Sequence, residues 1–319
     1  MFLQLLFTVA LHSSPTVDDI RRQADAMLPL VKTQIATEWL KGAAQLPDPT
    51  PRTLYRGTSW LTPAQYEALA PEEKAKVKTV KADATLYYNT KYGTPIAYAR
   101  AVDLAAQHGL KTLSGIKLMD FGYGGIGQLR LFAIQGAEAV GVDVDPFLPA
   151  LYSLPEDTGS FEKGSVKLVD GRYPAEEKTR EAVGDGYTLI VSKNTLKRGY
   201  IHPERPADKR MLIDLGVSDE AFLASVHDAL KPGGMLVIYN LCPAPAPPEK
   251  PYVPWADGRS PFTKEQYRHA GLKVVAFDVN DDGPIRKVAH AVGWDQGDQP
   301  MDTKKDLFAW YTIVRRENR

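Results

Sequence analysis

The stretch IKLMDFGYGGIGQLRLFAIQGAEAVGVDVD, residues 116–145, decides the fold. An apolar run, Ile116–Phe121, leads into four glycines at positions 122–127. An amphipathic run, Gln128–Gln135, follows, and a second apolar run ends at Asp143. Glycine lets the backbone turn sharply and approach a ligand without a Cβ clash. The pattern predicts a strand, a glycine turn, a helix and a second strand with an acid at its tip.

The spacing Gly122-x-Gly124-x-x-Gly127 fits the dinucleotide-binding fingerprint, and Asp143 follows Gly122 by 21 residues, as that fingerprint requires. In such a unit the helix amino terminus attracts an anion, and the acid accepts hydrogen bonds from ribose hydroxyls. A glycine turn that only packs a helix on a sheet has the same spacing, so the motif alone is weak. The pattern predicts an adenosine-containing cofactor and leaves two open, NAD(P) and S-adenosylmethionine.

Three further features favour S-adenosylmethionine. Asp120 stands immediately before the loop, a third strand (Ser165–Val169) ends in Asp170-Gly171, and the sequence LKPGG at 230–234 leads into the strand Met235–Leu241. With these residues the chain resembles the class I S-adenosylmethionine-dependent methyltransferases, over residues 85–316.

The resemblance implies that the glycine loop lines the methionine and ribose part of the cofactor. It also implies that Asp143 binds the ribose and that Asp170 lies near the adenine. One position departs from the common family form: Ile126 stands where a glycine is usual. The residues predicted to bind the cofactor are Asp120, Gly122, Tyr123, Gly124, Gly127, Asp143, Val144, Asp170, Gly171 and Ser192.

The order of apolar runs predicts an α/β fold for residues 111–319. Strands alternate with helices, which favours a doubly wound, mainly parallel, Rossmann-like sheet. The resemblance implies seven strands with an antiparallel last strand, for which Leu307–Val314 is rightly placed. Residues 16–110 are predicted to form a helical N-terminal extension, in which the mixed charges of Pro63–Ala84 mark a solvated helix face.

Residues 1–15 begin with the apolar run MFLQLLFTVAL. This run fits a short signal-peptide core or a helix docked on the domain. It is too short for a membrane span, which needs about 20 residues. The cofactor favours a cytoplasmic protein, and the apolar run leaves export open.

Composition excludes several classes of partner. Lys plus Arg and Asp plus Glu both number 39, so no net positive charge attracts nucleic acid. Cys242 is the only cysteine, which excludes an intramolecular disulfide, and the six histidines show no metal-ligand spacing. We therefore expect a small-molecule acceptor, no nucleic acid and no metal.

Two segments are candidates for the acceptor pocket. The tyrosine-rich segment 87–92 precedes the first core strand, and the proline-rich segment Cys242–Ser260 leaves the sheet at the edge where ligands bind in open α/β folds. The alternatives are tyrosines that pack a helix on the sheet and a plain surface connector. The predicted substrate-binding residues are Tyr88, Tyr92, Lys193, Asn194 and Trp255.

The predicted reaction is an in-line displacement at a carbon that the sulfonium already activates. The enzyme aligns the nucleophile and excludes water, and it needs a general base only when the acceptor loses a proton. Tyr200 and His202 are the candidate catalytic residues, with a loop histidine as the alternative reading of His202. The sequence thus predicts a methyltransferase. An NAD(P)-binding oxidoreductase and a non-catalytic S-adenosylmethionine-binding protein are the alternatives.

Overall fold

The structure, a computed structural model, describes residues 16–90 and 93–317. Its strands are β1 (Arg52–Arg56), β2 (Trp60–Leu61), β3 (Lys78–Ala82), β4 (Lys117–Phe121), β5 (Glu138–Asp143), β6 (Gly159–Phe161), β7 (Gly164–Asp170), β8 (Tyr187–Lys193), β9 (Leu230–Cys242), β10 (Leu272–Asn280) and β11 (Phe308–Arg316). Its α-helices are α1 (Val17–Met27), α2 (Gln34–Lys41), α3 (Pro63–Glu67), α4 (Pro71–Lys74), α5 (Ala84–Tyr88), α6 (Ala99–Gln107), α7 (Gly127–Ile134), α8 (Phe147–Leu151), α9 (Glu177–Val183), α10 (Arg198–Ile201), α11 (Asp219–Ala229), α12 (Lys264–His269), α13 (Asp282–Ala291) and α14 (Thr303–Asp306).

The main sheet has the strand order β10-β11-β9-β8-β4-β5-β7-β6. Strands β9, β8, β4, β5 and β7 run parallel to one another. Helices cover both faces, so the central strands are apolar on both sides. In β9, for example, Val237 packs into the hydrophobic core on one face, and Leu236 and Ile238 pack into the core on the other. The predicted doubly wound, Rossmann-like sheet is confirmed.

The strand order reverses between β4 and β8. From β4 the chain moves outward through β5 and β7, and it then returns to add β8 and β9 on the other side of β4. In open α/β sheets the ligand binds at such a switch point, beyond the carboxyl ends of the strands. The ends of β4, β5, β7 and β8 therefore define one edge at which a ligand is expected.

The antiparallel last strand is confirmed as well. β11 is inserted between β9 and β10 and runs antiparallel to both. The sheet has eight strands among the described residues, where seven were predicted. The additional strand, β6, is a three-residue edge strand that forms a hairpin with β7. A segment this short carries no hydrophobic periodicity, so the sequence pattern does not reveal it.

The N-terminal extension corrects the prediction of a purely helical segment. It contains a separate three-stranded sheet with the order β2-β1-β3, in which all five residues of β1 pair with β3. The charged run that suggested one solvated helix consists of the short helices α3 and α4, followed by β3. β3 reads Lys-Thr-Val-Lys-Ala and is largely exposed, so it lacks the alternation by which a strand is recognised.

Helices α1 and α2 dock on the main domain through their apolar faces. Val17, Ile20, Ala24 and Met27 line the buried face of α1. On α2, the ring of Trp39 lies 5.6 Å from that of Phe132 on α7, and both belong to one hydrophobic core. The proposed division of the chain near residue 110 stays a prediction, because the extension and the domain share this core.

Residues 1–15 lie outside the described residues, and so does their predicted role as a signal or docked helix. In the part of the chain that the structure describes, no helix is both long enough and apolar enough to cross a membrane.

Candidate cofactor and acceptor site

The glycine loop between β4 and α7 uses conformations that favour glycine. Gly122 has φ 75° and Gly124 has φ 58°. A Cβ on Gly122 would lie 2.1 Å from Oγ1 of Thr195, which follows β8. Gly122 is therefore required twice, for its backbone conformation and for the close approach of the loop after β8.

The carboxylate of Asp143, at the tip of β5, holds the loop. It accepts the backbone N–H of Gly124 at 3.0 Å and, on its other oxygen, those of Val144 at 2.7 Å and Asp145 at 3.0 Å. Burial raises the pKa of Asp143, and these three hydrogen bonds oppose that rise. A carboxylate offers about four acceptor positions, so one stays available for a further donor.

Beside Asp143 lies a partly apolar surface. Val144 is 59% exposed, which is unusual for a large apolar side chain in this protein. Asp170, exposed at the tip of β7, is the register partner of Asp143. Partial burial raises the pKa of Asp170, and the nearby carboxylates of Glu176 and Asp145 raise it further. An exposed apolar side chain next to a hydrogen-bond acceptor suits the flat face and the amino group of an adenine.

The departure from the family pattern at Ile126 has a structural explanation. Its side chain is fully buried, and its backbone N–H donates to the hydroxyl of Tyr152 at 2.9 Å. The Tyr152 hydroxyl in turn donates to the carbonyl of Tyr87 at 2.7 Å. The loop is thus anchored to the N-terminal extension at the position where a glycine is usual.

The segment before α6 packs closely on the loop. A Cβ on Gly125 would lie 2.8 Å from the carbonyl oxygen of Asn89, and one on Gly127 would lie 2.5 Å from that of Tyr88. These approaches explain why both positions are glycine. Tyr88 itself is fully buried, and its hydroxyl donates to the carbonyl of Pro47. Contrary to the prediction of a substrate-binding residue, its side chain packs the extension. Tyr92 lies outside the described residues.

Tyr123, which was predicted to bind the cofactor, points toward the sheet. Its side chain is buried, and its ring lies 2.8 Å from the position that a Cβ on Gly141 would take in β5. Gly171, after β7, has φ 145°, and a Cβ there would lie 2.0 Å from Oγ1 of Thr179. Both residues shape the edge of the sheet, and their contacts with the cofactor stay predictions.

Two buried ionisable groups, Asp120 and Lys193, lie on the adjacent strands β4 and β8. Asp120 is fully buried and accepts Nε2 of Gln128 at 2.9 Å and, at 3.5 Å, the hydroxyl of Tyr98. Burial raises its pKa to about 7. The ammonium of Lys193 lies 5.2 Å from the Tyr98 ring centroid, and burial lowers its pKa to about 8, opposed by the charge of Asp120. Two groups of opposite charge thus titrate near neutral pH at this edge.

Ser192 and Asn194 have internal partners. The Ser192 hydroxyl accepts the backbone N–H of Leu196 at 3.3 Å. The Asn194 side chain accepts the backbone N–H of Leu241 at 2.7 Å, while the Asn194 backbone N–H donates to the side-chain oxygen of Asn240 at 3.1 Å. Both predicted binding residues therefore fix the turn after β8, and their contacts with a ligand stay predictions.

The candidate base residues lie farther along the same loop. His202 has a half-exposed side chain, and its Nε2 lies 2.9 Å from Oδ2 of Asp219 at the start of α11. This contact is consistent with a loop histidine that fixes the chain to α11. Tyr200 is buried, with the Lys197 ammonium 5.4 Å from its ring centroid. The catalytic roles of both residues stay predictions.

The proline-rich segment is held at several points. The buried ammonium of Lys197 donates to the carbonyl of Leu241, and it donates to that of half-buried Trp255 at 3.3 Å. Asn240 donates to the carbonyl of Gly258 at 2.9 Å. Arg198 pairs with Asp257 at 2.6 Å. Lys197 and Asn240 carry no local sequence signal for this role, because only the pairing of β8 with β9 brings them to this segment.

Two surface cavities lie away from this edge. One of about 440 Å³ lies at the amino ends of the parallel strands and is lined by residues that include Lys117, Glu138 and Lys231. Another of about 400 Å³ is bordered by His227, His269 and Arg316. Among residues 16–90 and 93–317, no group of three or more His, Cys, Asp or Glu residues is placed to hold a metal ion.

Comparison with family models and with curated proteins finds no match. The chain is similar to solved structures at 13–16% identity. The cyclase SpnF has a TM-score of 0.42, covering 69% of this chain and 81% of that chain. An S-adenosylmethionine dependent methyltransferase from Mesorhizobium loti has a TM-score of 0.37, covering 68% and 98%. A phosphoethanolamine N-methyltransferase 2 from Haemonchus contortus, in complex with S-adenosylhomocysteine, has a TM-score of 0.42, covering 76% and 63%. At these scores the assignment of the fold rests on strand order and register.

Proposed function

We propose that this chain is an S-adenosylmethionine-dependent methyltransferase that transfers the methyl group in line to a small molecule. The observation that supports it best is the hydrogen bond from the Gly124 N–H to the Asp143 carboxylate. It joins the glycine loop after β4 to the acid after β5, beside the point where the strand order reverses. This is where a cofactor binds in an open α/β sheet.

The donor and acceptor groups at this edge fit an adenosine. Asp143 would accept from the ribose hydroxyls, and the exposed side chains of Val144 and Asp170 would take the adenine. The bound cofactor would supply a methyl carbon activated by the sulfonium. The role of the protein is to align the acceptor with that carbon and to exclude water.

The two alternatives fit less well. A nicotinamide enzyme needs neither the antiparallel β11 nor an acid at the tip of β7, and this chain has both. A protein that only binds the cofactor needs no additional segment on the acceptor side of the site. Here Lys197, Asn240 and Arg198 fasten a proline-rich segment beside the end of β9.

Charge supports a small acceptor. The chain has equal numbers of basic and acidic residues, and nucleic-acid affinity depends mainly on excess positive charge. The proline-rich segment at the proposed acceptor side carries Tyr252 and Trp255, both half-buried. Such walls suit a compact, partly apolar ligand held by a few polar groups.

Titration calorimetry tests the cofactor directly. The purified protein should bind S-adenosylhomocysteine and show no heat with NAD; the reverse result would overturn the proposal.

Incubation of the protein with S-adenosylmethionine carrying a labelled methyl group and with a metabolite extract, total RNA, DNA or a protein lysate tests the acceptor. Label should appear mainly in the metabolite fraction, and label mainly in a macromolecule would contradict a small acceptor.

A further inference from the structure

Lys193 is largely buried, and its ammonium has no hydrogen-bonding partner among the described residues. Its side chain ends at the carboxyl edge of β8, and the residue is only 5% exposed. It makes no hydrogen bond with any residue in 16–90 or 93–317; its contact there is the face of the Tyr98 ring at 5.2 Å. A buried ammonium costs several kcal/mol unless it is paired. A cation–π contact returns only about 0.5–2 kcal/mol.

Other buried cations of the protein have oxygen partners. Lys197, four residues later, donates to two backbone carbonyls. Arg100 makes two hydrogen bonds with Asp281, both of 2.7 Å. Lys193 has the opposite charge of Asp120 and the like charge of Lys197 nearby, but it makes no hydrogen bond to Asp120, whose oxygens accept from Gln128 and Tyr98. The Lys193 ammonium, at the end of β8, therefore differs from those two cations in having no oxygen partner among the described residues.

We propose, on the basis of the proposed function, that Lys193 binds a carboxylate of the ligand at the boundary between the glycine loop and the acceptor side. Its neighbour in the turn, Thr195, lies against Gly122 of the loop, and its register partner on β9 is Tyr239. The site therefore lies between the two halves of the sheet.

The surroundings favour a carboxylate over a phosphate. Asp120, Asp143, Asp145 and Asp170 all lie at this edge, and a doubly charged phosphate would be repelled by them more strongly than a singly charged group. The carboxylate has two possible sources, the methionine part of the cofactor and an acidic acceptor. Both would put a negative charge within reach of Lys193.

The test compares Lys193→Met with the wild type. Methionine keeps the length and the apolar stem but removes the charge. Lys117→Met is the matched control, because the Lys117 ammonium also lies over a tyrosine ring, that of Tyr187 at 4.7 Å, but at the opposite edge of the sheet. Calorimetry measures binding of S-adenosylhomocysteine and of 5′-methylthioadenosine, which has the same nucleoside but no carboxylate.

If the cofactor supplies the carboxylate, Lys193→Met should weaken S-adenosylhomocysteine binding about 10-fold or more, the size expected for a charged hydrogen bond. Binding of 5′-methylthioadenosine should change less than about twofold, and Lys117→Met should change neither. If the acceptor supplies it, both affinities are kept, and Lys193→Met raises the KM for the acceptor found in the labelled metabolite fraction about 10-fold.

Unchanged affinity together with an unchanged acceptor KM would overturn the inference and leave the proposed function intact. A wild type that binds neither nucleoside would overturn the proposed function, and the inference with it. Thermal unfolding of the ligand-free proteins separates binding from a structural role. Lys193→Met should keep or raise the Tm, because the ammonium makes no hydrogen bond with the described residues that the substitution would break; a fall of several degrees would show that Lys193 is structural and contradict the inference.

Discussion

The carboxylate of Asp143 accepts the backbone N–H of Gly124 at 3.0 Å, so the tip of β5 holds the glycine loop that follows β4. The same side chain also receives the N–H groups of Val144 and Asp145. One residue thus shapes two loops at the edge where the cofactor is expected. Removal of the Asp143 carboxylate should therefore affect the geometry of the site more than the stability of the fold.

Asp143→Ala should weaken S-adenosylhomocysteine binding by about 1–3 kcal/mol, because it strands both the loop N–H groups and the ribose hydroxyls. Asp143→Asn keeps one acceptor oxygen and should lie between this variant and the wild type. Calorimetry measures the affinities. Asp185→Ala, an exposed residue before β8, is the control. Equal affinity of Asp143→Ala and the control would contradict the assigned role.

Alanine substitutions at Gly122 and Gly115 distinguish the cost of backbone strain from the cost of a steric contact. Both have a positive φ, 75° and 70°, but a Cβ on Gly115 meets nothing within 4 Å, whereas one on Gly122 meets Thr195. Gly115→Ala should cost about 1–2 kcal/mol of unfolding free energy from conformation alone. Gly122→Ala should cost more and also reduce S-adenosylhomocysteine affinity. Urea unfolding and calorimetry measure the two effects, and equal costs would show that the contact with Thr195 is unimportant.

The N-terminal extension is joined to the domain by a buried ionic cluster. Asp157 receives a hydrogen bond of 2.6 Å from Arg52 on β1 and one of 2.7 Å from Tyr87 on α5. The Tyr87 ring also has the guanidinium groups of Arg52 and Arg130 at 4.7 and 5.1 Å from its centroid. Because Tyr87 lies one residue from the segment that packs on the glycine loop, the cluster connects the extension to the site.

Tyr87→Phe should lower the free energy of unfolding by about 1–3 kcal/mol, because it leaves a buried carboxylate oxygen with one donor fewer. Tyr55→Phe is the control: Tyr55 stacks on Tyr66 at 3.9 Å through its ring, which phenylalanine keeps. Urea denaturation measures both. If the two variants were equally stable, the hydroxyl of Tyr87 would not contribute to docking.

How much the sequence predicts depends on the range of the interactions involved. The β4–loop–α7–β5 unit follows from residues 116–145 because glycines, apolar periodicity and the terminal acid are all local signals. The pairing of β1 with β3 and the bonds of Asn240 to the turn after β8 join segments far apart in the chain, and neither has a local pattern. Tyr88 illustrates the limit of local patterns, because a tyrosine that lines a pocket and one that packs in a core have the same sequence signal.

The stability of the protein should depend on pH through Asp120. Its pKa is about 7 in the folded protein and 3.8 ordinarily. A raised pKa means that its contribution to stability is fully present below pH 3.8 and is lost as the pH rises through 7. Asp120→Asn removes this titration. The variant should therefore be more stable relative to the wild type at pH 8 than at pH 5, as a larger difference in the free energy of unfolding.

Urea denaturation of both proteins at the two pH values checks this expectation, with Asp185→Asn as an exposed control. Lys193 affects stability at higher pH. Burial lowers its pKa from 10.5 to about 8, so its contribution to stability is fully present above pH 10.5 and is lost as the pH falls through 8. A relative stability of Asp120→Asn that is the same at pH 5 and pH 8 would show that the Asp120 carboxyl titrates normally.

The proline-rich segment should control the acceptor and leave the cofactor alone. Lys197 and Asn240 fix it beside the end of β9, on the other side of β8 from Asp143 and Asp170. Tyr252→Ala and Trp255→Ala should therefore change turnover or the acceptor KM, since each removes a large part of an aromatic wall. Affinity for S-adenosylhomocysteine should change less than about twofold, because neither side chain belongs to the β4–β5–β7 edge. Steady-state kinetics and calorimetry on the same preparations distinguish the two effects. A parallel loss of cofactor affinity would mean that the segment covers the whole site, and unchanged kinetics would reduce it to a surface connector.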